Sequence, residues 1–81
     1  RYERIYDVTN FGAVVRINDT LVLISSNGET VHTFAELKKD TYYLYVCSEI
    51  SEDGKTATLV FEENYPSEKT SKDLYFYYDI P

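Results

Sequence analysis

The residues able to do chemistry in this chain are few and scattered, apart from its aromatics. Nine Tyr and four Phe stand with no Trp, and each ring offers a flat face on which a base or a side chain can stack. His32 is the only histidine. With no cysteine or second histidine near it, it lacks the partners that a zinc site or a catalytic imidazole needs, and it reads as a solvated loop residue. Cys47 is the only cysteine and sits on an apolar stripe with no basic neighbour, so an inert buried thiol is expected rather than a nucleophile. Glu49, Glu52 and Asp53 gather near one hairpin tip without the spacing of a calcium loop, and Glu62-Glu63 reads as a solvated strand end. There is no Gly-rich phosphate loop. No nucleophile, acid and base fall into a catalytic grouping, so no enzyme, metal or cofactor is expected.

Charge narrows the partners. Eight Lys and Arg against fourteen Asp and Glu leave a net charge of −6, with a sequence pI near 4.6. Avid non-specific binding to duplex DNA or to an anionic membrane depends on basic patches that this balance does not supply. The 81 residues suit one small domain. A single cysteine excludes an internal disulfide framework, which points to an intracellular, cytoplasmic setting. No apolar run approaches a membrane span, and no signal-peptide pattern opens the chain. A chain that starts on Arg and contains no Met is expected to be part of a larger chain or complex.

The elements that must position these groups are strands. Period-two alternation dominates and helical periodicity is nearly absent. Strands are expected over residues 4–8, 13–17, 20–25, 41–47 and 56–61. Asn18-Asp19 is a two-residue turn tolerant of left-handed backbone, and Ser26-Asn27-Gly28 and Ser51-Glu52-Asp53-Gly54-Lys55 are loops. Residues 33–38 offer a Thr cap, a Glu three positions on and closing lysines, hence a short helical turn. Residues 74–78 read as a sixth strand after a polar connector. No internal repeat is apparent. Ile5, Val15, Ile17, Val22, Tyr45, Cys47, Leu59 and Phe61 are the expected core. The strand at 41–47 is apolar on both sides, and coverage by residues 74–78 is the expected remedy.

Five strands with a helical turn between the third and fourth outline a five-stranded Greek-key barrel of the OB type. Three stretches, in order, resemble the ribosomal-protein-S1-type RNA-binding domain: Asn10-Phe11-Gly12-Ala13-Val14-Val15, Thr20-Leu21-Val22-Leu23-Ile24-Ser25, and residues 37–61 with Glu49-Ile50-Ser51-Glu52-Asp53-Gly54-Lys55. The resemblance covers about residues 4 to 63. It departs from the family pattern at Val14, where the family has a stacking Phe, and at Leu23, where it has His. Asp40 replaces a Gly.

What the resemblance implies is an all-β OB-type barrel over residues 1–63 with a C-terminal extension over 64–81 carrying an extra strand. It further implies a non-catalytic module for RNA or single-stranded nucleic acid. Phe11 would stack a base, Arg16 and Lys55 would contact the backbone, and Tyr6 or Tyr42 would replace the lost aromatic. Phe11 could equally cap the barrel end, and Arg16 could be a solvated strand residue. The alternative function is a barrel that binds protein, a basic partner or another subunit of an RNA-handling assembly.

Overall fold

A computed structural model of the chain describes residues 3–81. It is all-β, with seven strands and no helix among the described residues: β1 (Arg4–Thr9), β2 (Gly12–Ile17), β3 (Thr20–Ile24), β4 (Thr30–Glu36), β5 (Tyr42–Ile50), β6 (Thr56–Tyr65) and β7 (Thr70–Asp79). The chain divides into two compact units, Arg1–Lys39 and Asp40–Pro81. Each holds one antiparallel sheet, of order β1-β2-β3-β4 in the first and β5-β6-β7 in the second.

These are plain meanders, and they correct the expected barrel. Every strand pairs only with its neighbours in sequence, so neither sheet has the crossover that closes a Greek-key barrel. The expected helical turn is also absent. Residues 30–36 are Thr, Val, His, Thr, Phe, Ala and Glu, rich in β-branched and aromatic types, and they form β4 instead. A Thr cap and a downstream Glu could not outweigh a waiting partner strand. The backbone N–H of Leu37 then donates to the carbonyl of Asp19 at 2.7 Å, prolonging the contact of this edge with the β2–β3 turn.

In the first sheet the two central strands are buried on both sides. Val15 opposes Val22 and Ala13 opposes Ile24 on one side, while Val14 opposes Leu23 on the other. All of these except Ala13 are at most 5% exposed. That explains why residues 21–24 are an unbroken apolar run rather than an alternation. Asn18 and Asp19 take φ of 49° and 59°, a two-residue turn with both centres left-handed, matched to the twist of the flanking strands. Gly12 (φ 142°) has no room for a side chain, because a Cβ there would lie 2.6 Å from the carbonyl oxygen of Ile24.

The second sheet is one-sided. Along β6, Ala57, Leu59, Phe61 and Glu63 are buried, with half-buried residues between them. Phe61 packs edge-to-face against Tyr45 at 5.5 Å and Phe76 at 5.8 Å between ring centres, a row of rings across all three strands. Such pairs contribute roughly 0.5–1.5 kcal/mol each beyond their burial. The Tyr43 hydroxyl donates to Glu63 Oε2 at 2.8 Å, so the buried carboxyl group is held by a neighbouring strand.

Two expected core residues lie outside. Ile5 is 56% exposed, and Cys47 is exposed. In both strands one extra residue enters the ladder, Tyr6 in β1 and Val46 in β5, and this shifts the side on which the neighbouring residues fall.

The two loops that the sequence marks as turns are copies of each other. In Ser25-Ser26-Asn27-Gly28-Glu29 and Ser51-Glu52-Asp53-Gly54-Lys55, the Gly N–H donates to the carbonyl of the leading Ser at 3.0 and 2.9 Å. In each, the Ser hydroxyl bonds the Oδ1 of the following Asn or Asp. The same Oδ1 accepts the N–H of the fifth loop residue. The preceding Ile24 and Ile50 and the following Thr30 and Thr56 agree as well. A repeat of seven positions, 26 residues apart, therefore joins β3 to β4 and β5 to β6. It was not apparent from the sequence because the strands around it diverge.

Two outcomes are expected. Gly12→Ala should cost about 2–3 kcal/mol in a urea melt, since both backbone and space forbid a Cβ, whereas Gly54→Ala, with φ 73° but open space around it, should cost only about 1 kcal/mol. Tyr43→Phe should cost about 1–3 kcal/mol by leaving the buried Glu63 short of a donor; an unchanged midpoint would show that this hydrogen bond adds nothing.

Candidate functional site

The sequence singled out Phe11, Arg16, Tyr6, Lys55 and Tyr42, and the structure places them at separate points. Phe11 is half-buried at the tip of the β1–β2 hairpin, where its N–H donates to Thr9 Oγ1 at 3.2 Å. With Val8, Asn10, Ala13 and Ser25 it lines an open groove of about 350 Å³. Arg16 lies near the far end of β2, five residues and so about 16 Å along the strand from Phe11.

Arg16 is committed within its own sheet. Its Nη2 donates to Asp19 Oδ1 at 2.6 Å, and its Nε stands 3.5 Å from Glu3 Oε2. Glu3 Oε1 in turn accepts the Asp19 N–H at 2.9 Å. Burial pulls the guanidinium pKa down, but side-chain hydrogen bonds to Asp19 and Tyr6 more than offset it and hold the pKa above its usual value. Tyr6 is the extra residue of the β1 bulge and also receives the Arg4 guanidinium 5.5 Å from its ring centre. Thus Tyr6 and Arg16 do come together, in a cluster that fastens β1 to the β2–β3 turn.

In the second unit, Tyr42 pairs with Asn64 near one end of β6, while Lys55 precedes Thr56 at the other. About 30 Å of strand separates them. The Lys55 N–H donates to Asp53 Oδ1 at 3.0 Å. The Asp53 carboxyl is held below its ordinary pKa first by the Ser51 hydroxyl and then by that N–H. Among the described residues, no three of His, Cys, Asp and Glu are grouped to hold a metal ion.

The surface that sequence reasoning missed is the solvent-facing side of the β5–β6–β7 sheet. The pairing register puts Tyr42, Leu44, Cys47 and Glu49 of β5, Thr58, Val60 and Glu62 of β6, and Asp73, Tyr75, Tyr77 and Asp79 of β7 on this side. Tyr42 is 64% exposed, Leu44 46%, Tyr75 53% and Tyr77 62%, so the large apolar groups here are open to water. The expected cover by residues 74–78 does not occur, because β7 extends the sheet in its own plane beside β6. The signal was in the sequence: both sides of β5 are apolar, and one of them had to remain uncovered.

Four carboxylates, Glu49, Glu62, Asp73 and Asp79, stand among these apolar groups, and no strand position on this side is Lys or Arg. The acidity of the whole chain is concentrated in the same unit. Residues 40–81 hold nine Asp and Glu against three Lys, whereas residues 1–39 are balanced at five and five.

No protein-family model, curated protein or solved structure matches the chain.

Ser51→Ala should raise the Asp53 pKa toward that of an ordinary aspartate, read from the side-chain carboxyl resonance during an NMR pH titration. A depressed carboxyl pKa favours the folded turn above the unfolded pKa, and that support is lost as pH falls through the folded value. Exchange of the Lys55 amide should therefore accelerate on acidification relative to its intrinsic rate in the wild-type chain, and much less in the variant.

Proposed function

We propose that this chain is a non-catalytic protein-binding module whose solvent-facing β5–β6–β7 surface engages a basic partner. One observation carries the reading: Tyr42, Leu44, Tyr75 and Tyr77 are exposed together amid four carboxylates, with no Lys or Arg at the strand positions of that side. Exposed aromatics set in a polar rim are the usual composition of a protein interface, and Tyr supplies large contact area at low entropic cost. The carboxylates select by charge. They favour Lys and Arg, and they repel phosphate.

The competing reading is single-stranded RNA at Phe11. Its support was the resemblance to a barrel fold that the chain does not adopt. Arg16, its intended phosphate contact, already serves Asp19 and Glu3. The groove beside Phe11 is what remains in its favour.

Calorimetric titration of the chain with an amphipathic lysine- and leucine-bearing peptide, and separately with single-stranded RNA, distinguishes the two. The peptide should bind, and the Tyr75→Ser/Tyr77→Ser double variant should weaken it by about tenfold or more, equivalent to about 1.4 kcal/mol. RNA should not bind at physiological salt. RNA binding that falls when Phe11 becomes Ala, by the roughly 1–3 kcal/mol of a lost stacking ring, would overturn the proposal.

A further inference from the structure

The two sheets protect their edges unequally. A sheet edge presents unpaired N–H and C=O groups, and proteins blunt it with bulges, proline, lysine or short strands. Three of the four outer strands here are interrupted: β1 by Tyr6, β4 by Val31 and Phe34, and β5 by Val46, each an extra residue in the ladder. The fourth is not. β7 pairs with β6 through ten consecutive positions, Thr70 to Asp79, without a shift. It contains no proline, and its single Lys72 lies near its start. No described strand pairs along its outer edge, and the sheet it borders has three strands where the other has four.

From this we infer that the outer edge of β7 accepts an extended strand from a basic protein partner, which becomes the fourth strand of the sheet. The inference rests on the proposed protein-binding function and specifies how the partner docks. Main-chain hydrogen bonds would supply affinity, and alternate side chains would supply specificity. The side chains of β7 define what fits. On the solvent-facing side the order is Asp73, Tyr75, Tyr77, Asp79, so an antiparallel strand meets carboxylates at two positions six residues apart. Lys or Arg belongs at both. On the other side, Leu74 and Phe76 are half-buried and Tyr78 is buried, so the partner's intervening residues must be apolar. A second copy of this chain fits poorly, since its own β7 would bring Asp73 and Asp79 against another acidic edge.

The test uses the whole chain and a capped seven-residue peptide with lysine at its first and last positions, threonine at the third and fifth, and valine between. Peptide binding should slow hydrogen exchange at alternate amides of β7, and not at β1, β4 or β5. N-methylation of the peptide's edge-facing amides should weaken binding about tenfold or more, and replacing both lysines by glutamate should do likewise. If the peptide shifts resonances of Leu44, Val46 and Cys47 without protecting β7, and the N-methylated form binds equally, strand addition is wrong while the protein-binding function stands. If no basic peptide binds at all, both fall. Protection of β7 amides that grows with concentration of the chain alone would make a second copy the occupant and overturn the assignment to a basic partner.

Discussion

One inserted residue in β5 sets the chemistry of the second sheet. In a strand, successive side chains point to opposite sides, and a bulge resets that alternation. Before Val46 the sequence places Tyr43 and Tyr45 on the buried side, opposite Glu63 and Phe61. After it, Cys47 and Glu49 oppose Val60 and Thr58 and face water. Were Val46 paired in regular register instead, opposite Val60, Cys47 and Glu49 would follow Tyr45 to the buried side, opposite Leu59 and Ala57, and a carboxylate would lose its hydration there. The bulge thereby keeps a thiol and a charge out of the interior and assembles the acidic, aromatic surface.

The same economy of local solutions runs through the rest of the chain. Within each sheet, every strand is joined to the next by a short turn, so pairing requires little loop-closure entropy. The repeated Ser-x-Asn/Asp-Gly turn shows how. The Ser hydroxyl and the Asn or Asp oxygen satisfy backbone N–H groups that no strand reaches, and Gly28 and Gly54 take the left-handed φ of 84° and 73° that would strain other residues. Where the connection is tighter, Asn18-Asp19 makes the reversal alone. Arg16 then binds Asp19 there, so this half-buried cation of the first sheet stabilises a turn.

Charge separates the two units in a way that bears on partners. The first is neutral overall, with Arg16 held by carboxylates; the second carries the entire net charge of −6. In the proposed binding to a cationic partner, long-range attraction would originate in the sheet that also has exposed Tyr75 and Tyr77. Electrostatic steering and apolar contact would then act on the same surface, a combination that favours fast and selective association.

The sequence by itself determined six of the seven strands and most of the turns. Alternation in residues 13–17 and 56–61, the apolar run at 20–24, and the turn residues Asn18-Asp19 and Asp53-Gly54 are local signals, and local backbone preference is enough to read them. It also determined the net charge of −6. What it did not determine was which strands pair, because hydrophobic pattern marks a side and not a neighbour. A Greek-key barrel and two meanders can be written with the same strands. The segment 30–36, expected to lead into a helical turn, is a strand because β3 lies beside it to pair with. Ile5 and Cys47 were assigned to the core because bulges leave no mark in a period-two pattern. The exposed side of β5–β6–β7 was visible only as an excess of apolar residues in β5, and in-plane pairing of β7 with β6 decided that they remain open to water. Side-chain alternation is a property of one strand; burial is a property of what lies across it.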